Sequence, residues 1–99
     1  MNDNSRPHDR NDEQIACVKK YESLSGINRP GFFDVEEFEL IIDHYLSNNE
    51  ARRAQGVLEL AKRQHPDSVD ITFCEALVHM GMGRLNKALE ILDGLEKVE

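Results

Sequence analysis

The sequence predicts an all-α chain in which a short N-terminal helix precedes two helical hairpins that stack side by side as an α-α superhelix. Three observations carry this. Apolar residues recur at spacings of three and four from Ile15 onward, with no alternating strand pattern to compete. Turn-forming clusters interrupt that rhythm at residues 26–31, 47–49, 65–68 and 81–83. Residues 35–65 laid over 69–99, an offset of 34, pair Val35 with Val69, Ala54 with Ala88 and Leu58 with Leu92. The same offset pairs Arg53, Val57 and Glu59 with Lys87, Ile91 and Asp93, so the chain contains an internal repeat.

Residues 1–12 (MNDNSRPHDRND) hold almost nothing apolar and are expected to be a disordered tail. In 13–24 (EQIACVKKYESL), Ile15, Val18, Tyr21 and Leu24 fall three apart, which predicts a short amphipathic helix. The breakers Gly26, Pro30 and Gly31 end it, so 13–31 reads as a capping helix and linker packed against the first hairpin.

The first hairpin is assigned to 35–68. Asp34 can accept from the backbone amides of the first turn while Glu37 reaches back, with Phe33 and Phe38 as a hydrophobic staple. Val35, Phe38, Ile41, Ile42 and Tyr45 then share one helical face up to Ser47-Asn48-Asn49. A second helix starts near Glu50 and buries Ala51, Ala54, Val57, Leu58 and Ala61 until Pro66, which cannot continue the ladder.

The second hairpin is assigned to 69–99. Asp67 and Ser68 offer an N-cap to a helix carrying Ile71, Phe73, Cys74, Leu77, Val78 and Met80, which stops at Gly81-Met82-Gly83. The last helix holds Leu85, Ala88, Leu89, Ile91, Leu92, Leu95 and Val98. Loops of a few residues make each consecutive pair antiparallel.

Ninety-nine residues is the size of one domain. The net charge is -7: the first thirty residues balance five acids with five bases, 31–68 carry eight acids against four bases, and 69–99 six against three. Surplus acid on the folded part argues against nucleic acid, whose affinity comes largely from Lys and Arg, and against acidic membranes. No stretch reaches the roughly 18 apolar residues of a membrane span, and no secretory leader precedes the folded part, so a cytoplasmic location is expected. Cys17 and Cys74, 57 positions apart, match neither a disulfide framework nor a zinc spacing and read as reduced, small apolar side chains.

The hairpins resemble the tetratricopeptide repeat, a family of hairpins of about 34 residues with large, small and aromatic residues at fixed places. In the first, Phe38, Ile41, Tyr45, Ala54, Ala61 and Pro66 stand at the family's aromatic, leucine, tyrosine, alanine and closing-proline positions, with Ile42 replacing its small residue. In the second, Ala76, Gly83 and Ala88 fit, and Gly83–Leu92 reads GxLxxALxxL, whereas Thr72, Glu75 and His79 depart from the pattern. The layout of a short helix before the acidic FFDVEEFELIIDHYL segment is similar to that of tetratricopeptide proteins of Bacteroidetes.

The resemblance implies a concave groove lined by the first helix of each hairpin, here Glu36, Glu39, Asp43 and Leu46 with Asp70, Phe73, Leu77 and Met80. Such a groove is acidic outside and apolar inside, which suits a basic or amphipathic protein or peptide. The family's carboxylate clamp needs Lys, Asn and Arg where this chain has Glu39, Asp43 and Cys74, so acidic tails are not the expected ligand. The carboxylate cluster on 36–43 also fits acids favoured at a helix N-terminus.

No enzyme, cofactor or metal is expected. His8, His44, His65 and His79 lie on separate segments, serines lack a neighbouring His and acid, and Glu75 with His79 could form a local ion pair but not a zinc centre. Apolar residues cover about half the circumference of the last helix, more than the roughly 100° stripe of a surface helix. Leu89, Ile91, Leu95 and Val98 are therefore expected to form a self-association face, or to meet further repeats of a longer array. The expected function is a scaffold or adaptor that binds a polypeptide, with a structural or oligomerisation element as the alternative.

Overall fold

The computed structural model describes residues 10–27 and 29–97. Among them are five α-helices and no strand: α1 (Arg10–Gly26), α2 (Val35–Ser47), α3 (Ala51–Gln64), α4 (Val69–Gly81) and α5 (Leu85–Glu96).

Helix α1 begins at Arg10, three residues before the expected start, so residues 10–12 are helical rather than tail. Asp12 and Glu13 fall in its first turn, where carboxylates oppose the partial positive charge of unpaired amides. Tertiary contacts add to this: Gln14 Nε2 donates to the Leu40 carbonyl at 2.8 Å and to Asp43 Oδ2 at 3.3 Å. The expected tail at residues 1–9 lies outside the described residues.

Helix α1 packs along α2 and not, as expected, against α3 as well. Gly56 of α3, which has no side chain, lines a cleft with Tyr21, Ser25 and Tyr45 that separates the two helices. The long side chains of Arg53 and Glu22 span it at 3.5 Å. Tyr45 also donates its hydroxyl to Glu22 from within the core.

The linker is held by side chains from far along the chain. Gln64, at the end of α3, donates to the Gly31 carbonyl at 2.7 Å and accepts from the Phe33 amide at 3.1 Å. A ring nitrogen of His65 lies 2.7 Å from the Phe33 carbonyl oxygen. These bonds seat Phe33 in the core, 5.4 Å from the Phe38 ring, completing the staple over the Asp34–Glu37 capping box.

Both hairpins turn in the same way, 34 residues apart. Asn49 and Gly83 adopt left-handed backbone (φ 61° and 78°), where glycine is unstrained and asparagine tolerated. The Asn49 and Glu50 amides donate to the Leu46 and Tyr45 carbonyls, and the Gly83 and Arg84 amides donate to the matching Met80 and His79 carbonyls. Helix α2 packs on α3 and α4, and α4 on α3 and α5. Gly81 permits the close approach of the two hairpins: a Cβ there would lie 3.0 Å from Leu46 and 3.4 Å from Ala51.

The core runs from Cys17 and Val18 through α2 and α3 to Ile71, Cys74 and Val78 of α4. Both thiols are free and buried. Helix α5 adds only Ala88 to the fully buried set. Among the described residues no helix is long and apolar enough to cross a membrane.

Candidate functional site

Glu36, Glu39 and Asp43 follow one another at spacings of three and four, so they share a stripe of α2. That stripe lies beside α4, which contributes Asp70 from its first turn. Charge from both helices reaches Glu39 across the junction. Glu39, half-buried, has its carboxyl pushed above the ordinary range by burial first, then by Asp70 and Glu36, with Arg10 of α1 pulling partly back. Beneath them the Cys74 thiol is pushed up to about 11, chiefly by burial and further by Glu39, Asp70 and Asp43. The structure thus brings together the acidic half of the residues expected to line the groove.

The apolar half divides. Leu77 is half-buried and lies seven residues after Asp70, on the same stripe of α4. Leu46 packs against the core and near Gly81, bridging the hairpins more than facing outward. Phe73 and Met80 fall in line with Val69 at spacings of four and seven, on the far side of α4 from its buried Ile71, Cys74 and Val78. They belong to the outer end of the second hairpin more than to the acidic face.

Two residues that sequence reasoning did not assign to the site belong beside it. Gln14 bonds Asp43, and Arg10 acts on Glu39 as a cation. Helix α1 therefore forms one edge of the acidic face. Nothing in the local pattern of α1 signals this, because both interactions join residues almost thirty apart.

The residues expected to form a self-association face do not act as one surface. Leu89 is exposed, whereas Ile91 and Leu95 are half-buried in a cleft against Pro66, Val69 and Thr72 at the start of α4. Val98 lies outside the described residues. Ile91 and Leu95 point inward because α5 packs on α4 along the line of Ala88.

His44 lies edge-on to the Tyr45 ring, and His65 contacts Phe32 and Phe38 besides the Phe33 carbonyl. His79 keeps a buried Nδ1 without a hydrogen-bond partner. The ion pair considered between Glu75 and His79 does not form; Glu75 instead meets Lys62 of α3 at 2.9 Å, tying the hairpins together. His8 lies outside the described residues. Among those described, no three His, Cys, Asp or Glu residues are grouped to hold a metal ion.

A cleft of about 220 Å³ between α1 and α3 is lined by Tyr21, Leu24, Gly56 and Leu60 with Arg29 and Arg63, and contains none of the four carboxylates. Glu36, Asp43 and Asp70 are exposed on two neighbouring helices, an open surface that accepts an extended or helical segment better than a small molecule. Comparison of the chain with protein-family models, with curated proteins and with solved structures finds no match.

Proposed function

We propose that this chain is a protein–protein interaction module, a scaffold or adaptor of tetratricopeptide type, that binds a basic or amphipathic polypeptide across the α2–α4 face. It works by binding alone, with no catalytic step and no cofactor. The observation that carries this reading is the convergence of Glu36, Glu39, Asp43 and Asp70 from two helices, with Glu39 held above its ordinary carboxyl range. Crowded carboxylates raise one another's free energy, and a Lys- or Arg-bearing segment relieves that repulsion on contact. Leu77 beside them supplies an apolar contact for such a segment.

The test is binding of a fluorescent Lys-rich amphipathic peptide, followed by anisotropy at low and at physiological salt. The expected result is measurable affinity that falls with salt and is lost in the triple variant Glu39→Gln, Asp43→Asn, Asp70→Asn. Leu77→Ala should weaken binding at both salt concentrations. Equal affinity for the triple variant and the parent would sink the reading and favour the alternative, a structural element without a ligand of its own.

A further inference from the structure

The trough between α1 and α3 has two lobes, which share Tyr21, Ser25 and Gly56. In one lobe Arg53 is answered by Glu22 at 3.5 Å. The other holds Arg29 of the linker and Arg63 of α3, and no described acid lines it. Neither of these arginines forms an ion pair among the described residues. In a chain of net charge -7, two unanswered arginines on one cleft are a local reversal of sign.

The walls of this lobe are fixed by the fold itself. The Arg29 amide donates to the Leu24 carbonyl at 2.9 Å and Gln64 donates to the Gly31 carbonyl at 2.7 Å, so the linker is tied to both helices. Gly31 passes so close to Leu24 that a Cβ there would meet that side chain. Gly56 stands in the opposite situation. A Cβ there would meet nothing within 4 Å, although glycine in the middle of a helix is less stable than alanine. No packing contact requires this glycine; its missing side chain preserves the space of the cleft. Leu24 and Leu60 give that space apolar walls. Burial, and then Glu22, hold the Tyr21 hydroxyl above its ordinary range, so it stays a neutral donor.

We propose that this lobe binds a small organic carboxylate, with an aromatic or branched apolar body seated between Leu24, Leu60 and the bare backbone of Gly56 and its carboxylate held by Arg29 and Arg63. A guanidinium is a planar fork of donors that matches the two oxygens of a carboxylate. The cleft, about 220 Å³, exceeds the roughly 150 Å³ that takes up a benzene ring, and the remainder suits a carboxylate better than a bulkier anion. An inorganic anion would use the arginines and leave the apolar walls idle, and a cation would be repelled. This site lies apart from the acidic α2–α4 face and does not depend on the peptide-binding reading.

Titration of the isotope-labelled full chain with sodium phenylacetate, followed by the amide resonances of Gly31, Gly56 and Arg63, tests the assignment. The expected result is saturable shifts at these amides, with a dissociation constant in the millimolar range or tighter. Acetate, which has the charge without the ring, should bind at least about tenfold more weakly. Phenethylamine, which has the ring with the opposite charge, should leave these amides unmoved. Arg29→Gln combined with Arg63→Gln should weaken phenylacetate by about tenfold or more. Gly56→Leu should abolish binding while melting no lower than the parent. Shifts that do not saturate, an equal response to acetate or phenethylamine, or an affinity unchanged in either variant would each overturn the proposal. Both arginines are exposed, so the charge variant keeps the fold and decides alone should Gly56→Leu fail to fold.

Discussion

The two hairpins share a turn and a repeat length, yet the first is covered on both sides and the second on one. Helix α2 lies between α1 and α4 and buries Phe38, Leu40, Ile41, Ile42 and Tyr45, while α5 buries Ala88 alone. Leucines occupy the outer stripe of α5 where α3 manages with Ala51 and Gln55. Burial in this molecule therefore follows a helix's neighbours more than its own hydrophobicity. An apolar stripe that is core in one repeat becomes surface in the next.

That contrast is open to direct attack. The largest effect should come from Phe38→Ala, which empties a fully buried site against Phe33 and His65 and should cost about 3–5 kcal/mol. The equivalent position holds Thr72, whose hydroxyl donates to the Ser68 carbonyl, and Thr72→Ala should cost about 1 kcal/mol or less. Urea denaturation of the two variants measures both. Comparable losses would mean the second hairpin is as tightly built as the first.

An intermediate effect is expected at the twin turns. Gly83→Ala forces a side chain into left-handed backbone and should destabilise by about 1 kcal/mol, although a Cβ there meets no neighbour within 4 Å. Asn49→Gly should be neutral or slightly stabilising, since it relieves the same backbone in the first hairpin. Thermal melts of the pair would separate backbone strain from side-chain packing.

The smallest effect concerns Glu39. Its carboxyl holds its proton to a higher pH in the folded state than in the unfolded chain, so folding stability falls as pH rises through that window. Glu39→Gln should therefore stabilise the fold at pH 7, by well under about 1 kcal/mol after solvent screening, and the gain should vanish below the ordinary carboxylate range. The corresponding residue is Phe73, and Phe73→Gln should show no such pH dependence. A flat difference between Glu39→Gln and the parent from pH 3 to pH 8 (about five decades of proton activity) would remove the electrostatic account of this face.

What was legible in the sequence depended on distance along the chain. The capping box of Asp34 and Glu37 with its Phe33–Phe38 staple, and the turns at Asn49 and Gly83, are built within a few residues and could be read directly. The bonds from Gln14 to Leu40, and from Gln64 and His65 back to Gly31 and Phe33, join residues 26 to 33 apart and leave no local pattern. The early start of α1 went unread for the same reason. The acidic members of the candidate site were found because they repeat on a helical stripe. Phe73 and Met80 were grouped with them because the repeat offset assigns a position within the hairpin and takes no account of whether another hairpin follows to cover it. Surplus apolar surface on the last helix was legible, but its direction was not: Ile91 and Leu95 turn inward around Ala88, and Leu85 and Leu89 turn out.

Cys17 and Cys74 give the molecule two internal clocks. One thiol sits in α1, which packs chiefly along α2, and the other beneath the carboxylates at the junction of the hairpins. Burial and neighbouring acids raise both thiols above their ordinary range, so neither is a ready thiolate in the closed state. A thiol reagent should therefore label each cysteine at the rate at which its own shelter opens, with Cys17 reporting the peeling away of α1 and Cys74 the parting of the hairpins. Labelling of Cys17 ahead of Cys74 would mark α1 as the part of the protein that comes and goes while the rest stays folded.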